Sequence, residues 1–166
     1  MKGIAILGVL GAAIVLVVAA CGGSGSKSAA EQQAEHQSDL YAIDQIERTW
    51  HRAASTHNID LMMSIWADDA TFNNGTATLR GKAQIRAFFM TAGPFQPNHH
   101  WVSDTPAYKI RTTASGDKGT LYFECHYIDV KTEKLVAIVG ADQNVQRING
   151  KWLITSLAAA TPTLKP

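Results

Sequence analysis

Residues 66–89, WADDATFNNGTATLRGKAQIRAFF, contain the pattern that decides the fold of this chain. The segments ATF (70–72) and ATL (77–79) flank an Asn-Asn-Gly turn (73–75), where asparagine and glycine favour the positive φ angles of a tight hairpin. A small β-hairpin is therefore predicted. Gly81 follows it and begins a segment with the spacing of an amphipathic helix. The apolar stripe of that helix consists of Ile85, Phe88 and Phe89.

Two further helices are predicted on the N-terminal side of this hairpin. From Ser38 onward, apolar residues recur at steps of three and four, which is typical of one helical face. Ser38 is the expected N-cap, Asn58 lies near the expected end, and Asp60 is expected to cap a second, short helix. The apolar residues of the first helix are Leu40, Ile43, Ile46, Trp50 and Ala53, and those of the second are Leu61, Met62, Ile65 and Trp66.

The chain after Pro97 has the pattern of consecutive β-strands. Residues 120–130, TLYFECHYIDV, alternate strictly between apolar and polar side chains, and Pro106 indicates a bulge or an edge because proline donates no ladder hydrogen bond. Asn149-Gly150 is a strong signal for a two-residue hairpin turn. Helices followed by a long antiparallel meander predict an α+β domain with the helices on one face of a curved sheet.

The sequence resembles the SnoaL-like group of the nuclear transport factor 2-like superfamily over about residues 38–160. The resemblance rests on the acidic pair before the hairpin, on the helix pattern G-x-x-x-I-R-x-F-F, and on the ending QRINGKWLIT (146–155). It implies a cystatin-like roll, a cone-shaped curved antiparallel sheet with three N-terminal helices packed on its concave face. Members of the superfamily include polyketide cyclases, steroid isomerases, dehydratases, transport adaptors and domains without activity, so the fold does not decide the chemistry.

The first residues have the pattern of an export signal. Met1-Lys2 precedes an apolar run too short to span a bilayer comfortably, and Val18-Ala19-Ala20-Cys21 resembles a bacterial lipobox. We expect a signal peptide over residues 1–20, an acylated Cys21 anchored in a bacterial membrane, a flexible tether over residues 21–37, and the folded domain over residues 38–162.

Composition excludes several classes of function. Cys21 and Cys125 are the only cysteines, so a disulfide framework or a cysteine-rich metal site is not expected. Without the first twenty residues, which contain Lys2, 14 basic residues face 14 acidic ones, and no basic cluster favours nucleic-acid binding. No nucleotide-binding motif is present, and no cofactor is expected.

The segment PNHHWVSD (97–104) contains the candidate catalytic residues. Alternation along a strand places His100, Val102 and Asp104 on one face and His99 on the other. If His100 faces the cone, it suits proton transfer, and Asp104 is the group that could orient it. The alternative is that His100 only forms a hydrogen bond at the pocket rim. The two histidines cannot share one ion on a regular strand, and no metal site is expected.

A second set of residues is expected to line a pocket inside the cone. Gln143 shares a strand face with apolar neighbours, and its amide can orient a ligand but cannot act as a general base. The expected ligand-binding residues are Trp50, Trp66, Phe72, Phe88, Tyr127 and Gln143. Glu124 and His126 are expected to form an exposed polar stripe on the opposite face, at a dimer interface.

Two functions remain open at this point. One is a non-catalytic module that binds a small apolar ligand or forms a homodimer through its sheet, outside the cytoplasmic membrane. The alternative is a small cofactor-free isomerase, dehydratase or cyclase that uses His100 as acid and base. The amide at Gln143, where relatives often have an acid, favours the first.

Overall fold

The structure, a computed structural model, describes residues 26–91, 95 and 101–160. The expected signal peptide, Cys21, His99 and His100 lie outside the described residues. Within the described part of the chain, no helix is long and apolar enough to cross a membrane.

The first helix, α1 (Ala29–Ser55), begins ten residues before the predicted start. Its N-cap is Ser28, not Ser38, because Ser28 and Glu31 form a reciprocal capping box that satisfies exposed N–H groups at both positions. The following residues are mostly alanine, glutamate and glutamine, which favour helix without any apolar stripe. Part of the segment predicted as a tether is therefore helical, although all its described residues before Asp39 are exposed.

The second and third helices follow the predicted order. α2 (Ile59–Met63) is capped by Asn58, whose side-chain oxygen accepts from the N–H of Leu61 at 2.9 Å; the predicted cap, Asp60, lies in its first turn. α3 (Gly81–Thr91) begins at the predicted glycine, which has a φ of +77° that other residues rarely adopt.

Seven strands form one mixed sheet in the order β2-β1-β7-β6-β5-β3, with β4 also paired to β5. Their bounds are β1 (Trp66–Asn73), β2 (Thr78–Arg80), β3 (Trp101–Asp104), β4 (Arg111–Ser115), β5 (Lys118–Asp129), β6 (Lys134–Ile148) and β7 (Lys151–Ala160). The predicted α+β class and the β1–β2 hairpin are confirmed. One pair departs from the antiparallel expectation, because β7 returns beside β1 in the parallel direction.

The core lies between α1 and the concave face of the sheet. α1 packs against β3, β4, β5 and β7, and α3 packs against β1 and β2. Gly119 permits this close approach, since an added Cβ would lie 2.4 Å from a backbone oxygen of β4 and 2.9 Å from Ile43 of α1. The concave face of β5 consists of Leu121, Phe123, Cys125 and Tyr127, all buried as predicted. Tyr122 and Glu124 on the other face are buried as well, so burial along this strand does not alternate.

Candidate functional site

Aromatic side chains line the interior of the cone, as predicted. Trp50 of α1 lies 6.0 Å from Trp66 of β1, and Phe72 lies 5.2 Å from Phe88 of α3, measured between ring centroids. Trp50, Trp66 and Phe72 are buried and Phe88 is partly buried. The remaining rings of this lining are Phe89, Phe95 and Phe123.

Three side chains of this interior have buried polar atoms with no hydrogen-bond partner among the described residues. Gln143 is 4% exposed and faces the concave side between Leu121 and Leu157, its cross-strand neighbours, as predicted. Neither its amide oxygen nor its amide nitrogen is paired, and the indole N–H groups of Trp50 and Trp66 are unpaired as well. Buried groups of this kind are rare because each costs about 1–3 kcal/mol.

The predicted orientation of strand β3 is wrong. Val102 and Asp104 are exposed, whereas Ser103 is buried. The reason is register: Ser103 pairs with Tyr127, which faces the core, and paired residues lie on the same face of a sheet. Asp104 therefore points to solvent and cannot orient an interior histidine. His100, its proposed partner, lies outside the described residues.

A different histidine lies in the interior at this position. His51 of α1 is buried, and its Nδ1 atom lies 2.5 Å from the hydroxyl of Ser103. Its Nε2 atom lies 2.7 Å from the hydroxyl of Thr105 and 3.1 Å from a carboxyl oxygen of Glu47, one helical turn away. We call these four residues, Glu47, His51, Ser103 and Thr105, the histidine network.

Hydrogen-bond donors and acceptors decide the tautomer of His51. Thr105 donates its only hydroxyl proton to the backbone oxygen of Glu124, so toward Nε2 it can only accept. A carboxylate oxygen of Glu47 also only accepts. Nε2 therefore carries the proton, and in the neutral ring Nδ1 accepts the proton of the Ser103 hydroxyl. The arrangement is carboxylate, imidazole, hydroxyl, in the order that makes a hydroxyl more nucleophilic.

Two weak acids lie beside this network on β5. Burial raises the pKa of Cys125 to about 12. Burial also raises the pKa of Tyr127 well above 10. Both groups are therefore protonated at neutral pH, which makes the thiol unreactive and keeps the phenol a hydrogen-bond donor.

The concave face of β6 becomes exposed toward one end of the strand. Val139 of β6 is in register with Cys125, on the face that is buried farther along the strand at Ala141, Gln143 and Val145. Yet Val139 is 42% exposed. The exposed part of this face therefore lies one strand away from Cys125.

The opposite face of β5 holds a second buried cluster, where an exposed stripe was predicted. Glu124 is fully buried, and its carboxylate accepts hydrogen bonds from Lys109 and from the Tyr122 hydroxyl at 2.9 Å; His126 lies 3.5 Å away. The prediction failed because the chain after Pro106 forms a 3-10 helix (Ala107–Lys109) that covers Glu124 with the lysine. We call Lys109 and Glu124 the lysine pair. The described residues contain no group of three His, Cys, Asp or Glu side chains that could hold a metal ion.

Glu47 and His51 were missed by the sequence analysis, although a signal exists. They stand four residues apart and flank Ile46 and Trp50 on the stripe that α1 buries. An acid and a histidine at that spacing within a buried stripe need each other as hydrogen-bond partners. Ser103 and Thr105 carry no such signal, because only the pairing of β3 with β5 determines which face they occupy.

Comparisons with known proteins agree with this architecture. A family model of the SnoaL-like domain matches residues 47–153. No curated protein matches the chain in sequence at the threshold applied.

Several solved structures have the same fold. A nuclear transport factor 2-like protein with a cystatin-like fold from Novosphingobium aromaticivorans is 14% identical, with 85% of this chain and 93% of that one covered and a TM-score of 0.71. A nuclear transport factor 2-like protein of unknown function from Pseudomonas putida is 17% identical, with 78% and 98% covered and a TM-score of 0.67. A candidate ketosteroid isomerase from Shewanella frigidimarina is 14% identical, with 72% and 94% covered and a TM-score of 0.59. At these identities the likeness concerns the fold alone.

Proposed function

The chain belongs to the SnoaL-like domain family, and from this premise we propose that its cone binds a small, mainly apolar ligand with one or two polar atoms. The aromatic lining supplies apolar area, and such rings recognise flat ligands by stacking and edge contacts. Ligand sites of this type are mostly apolar with a few convergent polar groups.

One observation carries the proposal. The Gln143 amide is buried within the apolar interior and has no hydrogen-bond partner among the described residues. An amide offers one acceptor and two donor protons, so a carbonyl or hydroxyl of a ligand can satisfy it. The cost of leaving it unpaired in the free protein is recovered on binding.

The test compares two matched probes, 2-naphthol and naphthalene, which differ by one hydroxyl. Binding to the full chain is followed through tryptophan fluorescence. We expect 2-naphthol to bind more tightly than naphthalene, and Gln143→Leu to remove that preference, about a five- to tenfold loss for one hydrogen bond. Asn144→Leu, on the exposed face of the same strand, is the control and should leave both affinities unchanged.

Stability gives an independent readout. If the unpaired amide is a binding group, Gln143→Leu should raise the free energy of unfolding of the unliganded protein, because it removes an unsatisfied buried group. No binding of either probe, or equal loss of both affinities in the variant, contradicts the proposal.

A second candidate function is acid–base catalysis by His51, favoured by the Glu47 carboxyl at 3.1 Å from its Nε2 atom. The sequence analysis assigned the acid–base role to His100 and did not identify a buried acid beside an imidazole. Here His51 would move a proton within an enolisable ketone, the chemistry of an isomerase, a dehydratase or a cyclase.

This candidate is tested with 3-cyclohexen-1-one, whose isomerisation to the conjugated ketone raises ultraviolet absorbance. His51→Gln should lower the rate by about 10²–10⁴-fold. His126→Gln, also beside a buried carboxylate but on the other face of β5, should not change it. A wild-type rate equal to that of buffer excludes the chemistry for this ketone class.

We also propose that the protein is exported and held at a bacterial membrane by an acylated Cys21. The apolar leader and the lipobox-like Val18-Ala19-Ala20-Cys21 support this. Cys21→Ala should abolish incorporation of labelled palmitate and leave the chain uncleaved. Equal labelling of the variant and the parent would contradict the proposal.

A homodimer through the sheet is the remaining proposal. The face opposite α1 carries an open groove of about 610 Å³ with Arg111, Asp142, Asn144 and Ser156 among its lining residues. In a two-fold symmetric dimer, each copy would present this same patch to the other. Asp142→Arg should convert a dimer to a monomer in analytical ultracentrifugation, and a monomeric parent at micromolar concentration contradicts the proposal.

A further inference from the structure

We propose that Ser103 is a nucleophile and that the histidine network makes this domain an esterase for small acyl esters. The inference goes beyond ligand binding and beyond acid–base chemistry on a ketone, since it requires a covalent intermediate on the chain itself. It rests on the geometry of four residues contributed by α1, by β3 and by the segment that follows β3.

The distances arrange the groups in the order that activation requires. The Ser103 hydroxyl lies 2.5 Å from Nδ1 of His51, and Glu47 lies 3.1 Å from Nε2 on the far side of the ring. The hydroxyl of Thr105 holds the proton on Nε2 because its own proton is used by the backbone oxygen of Glu124. The free lone pair of the neutral ring therefore points at the serine and not at solvent.

The backbone holds Ser103 in this orientation. Its N–H donates to the Ser55 hydroxyl at 2.9 Å, so α1 and β3 are joined on both sides of the side chain. Tyr127 lies directly across the ladder from Ser103 on the same face.

The substrate class follows from the surroundings. Ser103 is buried. The ring centroid of Phe123 lies 5.3 Å from that of His51 and 5.7 Å from that of Trp50. Apolar surroundings of this kind favour a neutral ester with a short acyl group and an apolar alcohol over a peptide or a charged ester.

The reaction balances without any added group except water. The Ser103 oxygen attacks the ester carbonyl while its proton passes to Nδ1 of His51. The carbon–oxygen bond to the alcohol breaks, and the alcohol leaves with that proton. Water then attacks the acyl-serine, passes a proton through the same nitrogen back to the serine oxygen, and releases the carboxylic acid. Glu47 and Thr105 are positioning residues, since they touch only the imidazole.

The test uses the full chain with two reagents, diisopropyl fluorophosphate and p-nitrophenyl acetate. Mass spectrometry of the labelled wild-type protein should locate one phosphoryl group at Ser103, which requires no variant to fold. p-Nitrophenyl acetate should be hydrolysed about 10²–10⁴ times faster than in buffer, and Ser103→Ala or His51→Gln should abolish the acceleration. Ser115→Ala, at an exposed serine, is the control and should retain it.

The positioning role of Thr105 is measured through the tautomer of His51. Nitrogen NMR of the histidine rings should show His51 in the Nε2–H tautomer, and Thr105→Val should mix the two tautomers while Thr105→Ser restores one. Wild-type protein that takes no label, label on other residues, or unchanged hydrolysis by Ser103→Ala overturns the proposal. Ketone isomerisation by His51 would survive Ser103→Ala, so failure here leaves that candidate function separately testable.

Discussion

Strand β5 separates two buried polar clusters that differ in the kinds of groups they join. On its concave face, the histidine network joins an imidazole, two hydroxyls and a carboxyl, which lie within 3.1 Å of a ring nitrogen of His51. On its other face, the lysine pair joins two opposite charges, with the Tyr122 hydroxyl as an added donor to Glu124. The first arrangement is suited to chemistry, and the second to holding the chain in place.

The two clusters meet at one residue. The backbone oxygen of Glu124 accepts from Thr105 of the network, while its carboxylate accepts from Lys109 of the pair. The segment between them crosses from one face of the sheet to the other through Pro106 and the 3-10 helix. The histidine network is therefore joined through Glu124 to an ion pair on the opposite side of the strand.

The largest effect is expected when the lysine pair is broken. Lys109→Met leaves the Glu124 carboxylate buried without its charge partner, which should cost about 3–5 kcal/mol of the free energy of unfolding. Denaturant titration measures it. The double variant Lys109→Met with Glu124→Gln removes both charges and should recover most of the loss. A single variant within 1 kcal/mol of wild type contradicts the assigned role of the pair.

A smaller effect on stability should distinguish His51 from His126, each of which lies beside a buried carboxyl group. His51→Ala should cost about 2–3 kcal/mol, because both ring nitrogens have partners that would be left unpaired in the interior. His126 is only partly buried and lies 3.5 Å from its carboxylate, so His126→Ala should cost about 0.2–1 kcal/mol. Equal losses in denaturant titration would remove the distinction between the two faces.

The hydroxyl of Thr105, which links the two clusters, should contribute less to the free energy of unfolding than either cluster. Thr105→Val keeps the shape of the side chain but removes the hydroxyl that joins His51 to Glu124, at a cost of about 1–2 kcal/mol. Combined with Lys109→Met in a double-mutant cycle, the two losses should not add, because both variants loosen the same segment. Simple additivity would show that the clusters are independent.

The smallest effect at neutral pH concerns Cys125, and it appears only in alkali. Because burial raises its pKa to about 12, the unfolded thiol, with an ordinary value of 9.0, loses its proton first as pH rises. This group therefore stabilises the fold fully below pH 9, and that stability is lost between about pH 9 and 12. Cys125→Ala should flatten this part of the stability profile measured by thermal unfolding, and rapid reaction of the native thiol with Ellman's reagent at pH 8 contradicts its burial.

The interior residues that could be predicted were those set by periodicity. Trp50 was placed inside the cone from helical spacing, and Tyr127 and Gln143 from strand alternation, and all three are buried there. Trp66 is buried too, but as the first residue of β1 and not in the second helix, where it was predicted. Asp104 was misplaced by one residue of strand register. Its segment is short and interrupted by Pro106, so alternation within it does not show which side faces the core. The pairing of β3 with β5 determines that side.

The order of helices and strands, the hairpin at residues 73–75 and the α+β class could all be predicted from the sequence, because they depend on local turn chemistry and on periodic burial. Three features could not: the parallel pairing of β7 with β1, the burial of Glu124, and the contact of Ser103 with His51 across 52 positions of the chain. Packing between distant segments determines the hydrogen-bond partners of buried polar groups, and no local sequence pattern shows which segments will pack together.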